Sequence, residues 1–199
     1  MTFHASLLLL TLLTQGAVSN PAAPKSGLSR ELSKSMGKKL ELLEKFDRDP
    51  KAKRQAVNVF ESELNSYVQF ALSERVPRGL REVRIVLREN RVELRGLANL
   101  SEFSELKDKA GSSLLSLLGG EMAVEIVADF KSDRGFGQFE VLSAQVGPVP
   151  LSASVLGEIV SRATVDSQHP NGFDIRAPFR LPYSAKRIRP LSAFATIEY

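Results

Sequence analysis

The chain contains no cysteine and no tryptophan among its 199 residues. Without a thiol there is no disulfide, no thiolate zinc site and no cysteine nucleophile. Bacterial lipoprotein anchoring is excluded for the same reason. There are two histidines, His4 and His169, which leaves little for metal or acid–base chemistry. The longest apolar run, Ser6–Leu13, is too short to span a bilayer as a helix. What remains is ordinary globular material: 43% hydrophobic and 25% charged residues, enough for a single domain with its own core.

Charge is unevenly placed. Residues Lys25–Arg54 hold ten Lys/Arg against five Asp/Glu, which leaves 17 of the 27 basic and 18 of the 23 acidic residues elsewhere. The basic character belongs to one N-terminal segment, and the near-neutral remainder argues against a nucleic-acid-binding body.

Residues 1–19 are expected to form a signal peptide. The run SLLLLTLL leads to Ala17-Val18-Ser19, whose small residues at 17 and 19 suit cleavage before Asn20. Its n-region carries no Lys or Arg, and a buried N-terminal helix is the competing reading. Residues 20–28, NPAAPKSGL, read as a linker. Residues 29–54 read as a basic helix, with Leu32, Met36, Leu40, Leu43 and Phe46 recurring at spacings of four, four, three and three. Residues 55–199 are expected to form a single α+β domain.

A helix–strand–strand unit is predicted three times. The first helix is placed over Val59–Glu74, with Asn58 and Glu61 as a capping pair. Two alternating strands follow, Glu82–Arg88 and Val92–Leu100, joined by the two-residue turn Glu89-Asn90. The second helix is placed over Ser101–Leu117. Strands at Met122–Phe130 and Phe136–Val146 follow, with Lys131–Gly135 as their turn. The third helix, Ser152–Ala163, is followed by alternation at Phe173–Phe179 and a hairpin near Lys186–Arg189 and Ala193–Tyr199. Each strand has one apolar and one polar face. The expected assembly is an antiparallel sheet of six to seven strands with helices packed on one face.

The stretch RGFGQFEV, Arg134–Val141, follows an RNA-binding signature for four residues. A base-stacking strand needs aromatics at period two, whereas Phe136 and Phe139 are three apart and face opposite ways. The stretch reads as a glycine turn feeding a strand. Beyond it the apolar face switches, with Phe139 and Val141 on one side and Leu142, Ala144 and Val146 on the other. That switch predicts a β-bulge, or a strand buried on both sides, near Val141-Leu142.

Other polar patterns carry two readings each. The basic segment, and within it Lys34, Lys38, Lys39, Lys51, Lys53 and Arg54, suits an anionic membrane surface, or simply a solvated helix face. Arg84, Arg88, Arg95, Arg176 and Arg180 either converge as an anion site or form a cross-strand salt-bridge mosaic with Glu93, Glu125, Asp129 and Asp174. His169 with Asp166 makes a poor catalytic pair, and no H-E-x-x-H, phosphate-binding loop or calcium loop is present. No enzyme activity, no metal, no cofactor and no nucleic-acid partner are expected.

FESELNSYVQF, followed by Pro77 and REVRIVLRENRVELRGLANL, resembles small exported bacterial envelope domains whose helix carries an E-L-N core. DIRAPFRLPYSAKRIRP is similar to their C-terminal strands. Glu63, Leu64 and Asn65 are the most distinctive match. Some such domains are thought to resemble tubular lipid-binding folds, and the resemblance implies a lipid or amphiphile held between helix layer and curved sheet. The resulting expectation is an exported, periplasmic or extracellular, non-enzymatic envelope protein. Phe60, Leu64, Tyr67, Phe103, Leu114, Ile126, Phe173 and Phe179 would line its ligand site or else simply form the core. The alternative is a structural or interaction module of the envelope, docked on a protein partner through its basic helix.

Overall fold

The computed structural model describes residues 27–49, 51–52, 54–76, 79–99, 101, 120–165 and 171–199. The expected signal peptide, nearly all of the linker, and the second helix beyond Ser101 therefore lie outside the described residues. So do Lys53, Phe103, Leu114, Asp166 and His169.

Helix α1 spans Arg30–Arg48 and opens on Ser29, whose hydroxyl accepts from the Leu32 amide at 3.1 Å. Strand β1 (Val57–Phe60) runs straight into helix α2 (Glu61–Ala71). Strands β2 (Leu80–Arg88), β3 (Arg91–Asn99), β4 (Glu121–Asp133) and β5 (Phe136–Val146) form a meander, extended by the short β6 (Val149–Pro150). Helix α3 (Ala153–Ala163) follows, capped by Ser152. The short β7 (Phe179–Arg180) pairs with the start of β5, and the hairpin β8 (Arg187–Leu191) and β9 (Phe194–Glu198) comes last. All these pairings are antiparallel, and the fold is α+β with helices against the apolar side of the sheet. Strands β1, β9 and β8 form a separate three-stranded sheet.

One apolar cluster joins the layers. Met36, Leu40, Leu43 and Phe46 of α1 share it with Leu64 and Val68 of α2, Ile85 and Leu87 of β2, Ile188 of β8 and Ile197 of β9. Burying the four α1 side chains contributes about 6–12 kcal/mol before entropy is counted, comparable to the whole net stability of a domain. Helix α1 is therefore built into the core.

Four local expectations are corrected. The apolar run at 57–60 is a strand, because Val57 and Val59 alternate inward while pairing with Ile197 and Ala195 of β9. Asn58 lies in that strand and caps nothing. The helix begins instead where the Glu63 carboxylate accepts from the Phe60 amide at 3.0 Å. The β4–β5 turn is two residues, Arg134-Gly135, both at positive φ, so β4 runs three residues past Phe130. Of residues 173–179 only Phe179 is in a strand. The Asp174 carboxylate accepts from the Arg176 amide at 3.0 Å, and the Ala177 amide bonds the Asp174 carbonyl at 3.2 Å, closing a turn in place of a ladder. Phe173 and Ile175 are buried all the same.

The bulge in β5 is present. Val127 pairs with Ser143 and Ala128 with Val141, which leaves Leu142 unopposed and 46% exposed. A second bulge lies in β2, where Arg81 faces Leu97 and Arg84 faces Arg95. There Glu82 has φ 51°, and a β-carbon on Gly96 would sit 3.0 Å from the Arg81 carbonyl oxygen. In RGFGQFEV only Gly135 serves the turn. Gly137 is buried, and a β-carbon there would meet Leu181 at 2.8 Å and Phe179 at 3.0 Å.

Candidate functional site

The E-L-N segment closes two sheet edges. The Asn65 amide nitrogen donates to the Ile85 carbonyl at 2.7 Å, and its oxygen accepts from the Ile85 amide at 2.7 Å. One turn earlier the Glu61 carboxylate accepts from the Leu87 amide at 2.8 Å. Side chains of α2 thus stand where another strand would pair with β2. On the smaller sheet, the Lys39 ammonium bonds the Asn58 carbonyl oxygen at 2.6 Å and the Glu63 carboxylate at 2.5 Å. The edge of β8 is met by Ser132, whose hydroxyl exchanges hydrogen bonds with the Ile188 amide and carbonyl. Exposed strand edges invite pairing with other chains, and these contacts remove that opportunity. The sequence carried the polar residues, but their partners lie 20 to 26 positions away on β2.

Of the described candidates for a ligand lining, Leu64, Tyr67, Ile126, Phe173 and Phe179 lie in or against one large apolar cluster, as the core alternative has it, while Phe60 lies outside it. Leu64 is fully buried in the core, and Tyr67 packs against the same cluster. The Phe60 ring lies 6.1 Å from Phe194, with the Lys39 ammonium over its face. Phe173 and Phe179 belong to a different aromatic group, with Phe130 and Phe139, at the hairpin end of β4 and β5. Ile126 is half-buried in mid-sheet. It borders a second apolar cluster of Ala98, Val124 and Val146, around which Leu80, Met122, Val149 and Leu151 are half-buried.

The basic candidates separate as well. Lys34, Lys38 and Lys51 are exposed. Lys39 is held internally, and Arg54 donates to the Phe46 carbonyl at 3.1 Å while lying over the Tyr199 ring.

The outward sheet face is a salt-bridge mosaic. Arg95 pairs with Glu93 at 2.9 Å and Glu125 at 3.0 Å, and Arg91 pairs with Asp129 at 2.8 Å. Arg176 pairs instead with Asp174, and Arg180 covers Phe136, so neither joins Arg84, Arg88 and Arg95. The hydrogen bond from Arg176 holds Asp174 below the usual carboxylate range, and that from Arg187 does the same for Asp133. A shallow cleft of about 300 Å³ opens on this face, lined by Arg95, Ala123, Glu125 and Gln145 among others. No helix of the described residues is long and apolar enough to cross a membrane. Compared with known proteins, the chain matches no family model, no curated protein and no solved structure.

Proposed function

We propose that this is an exported, non-enzymatic envelope protein that holds a lipid-like or amphiphilic ligand against the apolar face of its long sheet. The observation that carries the reading is the half-buried strip of Leu80, Met122, Ile126, Val149 and Leu151 around the second apolar cluster. The strip differs from the eight side chains expected to line the site and shares only Ile126 with them. The resemblance carried by Glu63, Leu64 and Asn65 points the same way.

Native mass spectrometry of protein purified from its own cells tests the proposal. A lipid-sized adduct is expected, and I126E should lose it while keeping its circular dichroism spectrum. Absence of any adduct, together with no binding of a fluorescent fatty acid, would sink it. The second reading, an envelope module docked through its basic helix, is favoured by the exposure of Lys34, Lys38 and Lys51. It requires binding to an envelope protein that weakens when these lysines are reversed in charge.

A further inference from the structure

Two arginine pairs stand directly opposite one another on the outward face of β2 and β3: Arg84 with Arg95, and Arg88 with Arg91. Like charges in that position destabilise a sheet. The outward positions in this ladder carry five arginines, Arg81, Arg84, Arg88, Arg91 and Arg95, against the single carboxylate of Glu93. Glu82 sits at the bulge, outside the pairing. Neighbouring carboxylates answer most of this charge. Arg91 and Arg95 bind Asp129 and Glu125 on β4, Arg81 lies 3.6 Å from Glu121, and Arg88 lies 3.9 Å from Glu93. Arg84 is different. Among the described residues, no carboxylate lies within ion-pairing distance of its guanidinium.

Charged residues on an edge strand often serve to repel other strands. That role is already filled here, because Asn65 and Glu61 occupy the β2 edge. The arginines project from the face of the sheet, beside half-buried Val86, Leu97 and Val127, and Arg95 lines the cleft of about 300 Å³ together with Ala123 and Glu125.

We propose that this face docks an acidic segment of a protein partner, with a partner carboxylate engaged by Arg84 where it stands opposite Arg95. A carboxylate there would give Arg84 the ion pair that Arg95 already has with Glu93 and Glu125, and charge-assisted contacts of this kind are the strong ones. A flat anionic bilayer fits less well. Glu93, Glu125 and Asp129 are interleaved with the arginines and would be pressed against its phosphates. A folded or extended polypeptide can place its carboxylates point by point.

The test uses the full chain and a short fluorescein-labelled peptide rich in glutamate, with phosphatidylglycerol vesicles as the comparison. The peptide is expected to bind in a salt-sensitive manner. R84E should weaken binding about tenfold or more while raising Tm by about 1–3 °C, since it replaces a like-charge pair with an opposite one. R84M should weaken binding with a smaller gain in Tm. K186E makes the same charge change at an exposed site away from the face and should leave binding unchanged. Equal weakening by R84E and K186E would reduce the effect to net charge and overturn the proposal. So would binding to the vesicles alone, or to neither probe.

Discussion

Replacing Asn65 by alanine removes three hydrogen bonds: two to the Ile85 backbone at 2.7 Å and one to the Glu61 carbonyl at 3.0 Å. The Glu61 carbonyl keeps its place in the helix ladder, but the buried Ile85 amide and carbonyl lose their partner. Each stranded group costs about 1–3 kcal/mol, so N65A should lose roughly 2–6 kcal/mol, a large part of a typical domain's stability. Urea denaturation followed by circular dichroism gives the loss, and hydrogen exchange of the Ile85 amide locates it. N65D separates shape from chemistry. Its carboxylate would accept from the Ile85 amide but face two carbonyl oxygens, so its folded pKa is raised above the unfolded value. Stability relative to wild type is then greatest below the unfolded pKa, where the acid can donate, and is lost as pH rises through the folded pKa. N65A should show no such slope. A loss under about 0.5 kcal/mol in N65A, with Ile85 still protected, would refute the reasoning.

Two further outcomes follow from the packing. G137A should cost about 1–3 kcal/mol in urea denaturation, because the new methyl meets Leu181, Phe179 and Phe130 within about 3 Å. Wild-type stability there would mean that this aromatic group yields freely. Burial pushes the Tyr183 and Tyr199 hydroxyls above their ordinary pKa. Stability should therefore be intact below about pH 10 and fall as pH rises beyond it, by at most about 1.4 kcal/mol per pH unit for Tyr183. The fall is smaller for Tyr199, because the Arg54 guanidinium over its ring favours the phenolate. Tyrosinate absorbance tracked with circular dichroism checks this; free titration of both hydroxyls in a fully folded chain would contradict it.

The stripe of α1 was legible because Met36, Leu40, Leu43 and Phe46 share one helical face, and all four are buried. The bulge at Leu142 was legible because the apolar face changes sides within one strand. Residues 173–179 misled because a turn can bury Phe173 and Ile175 as well as a strand does. The sealing role of Asn65 was hidden, since its partner is backbone, which has no sequence signature. Whether the apolar candidates line a ligand space or simply form the core was not legible, for a related reason. Periodicity tells which face is apolar, whereas an unfilled gap depends on how the layers meet.

The pairing of β1 with β9 also bears on how the chain reaches its fold. Val57 and Ile197 are brought together across almost the whole described chain. Closing so long a loop costs entropy before the contact rewards it. The β2–β3 hairpin and its α2 clasp involve near neighbours in sequence and can form early. The small sheet must wait for β8 and β9, and until then Val57 and Val59 of β1 lack their partners Ile197 and Ala195. Folding should thus show a fast phase in the meander and a slow one in which β1 joins β9 and β8, the interval in which the chain is most exposed to aggregation.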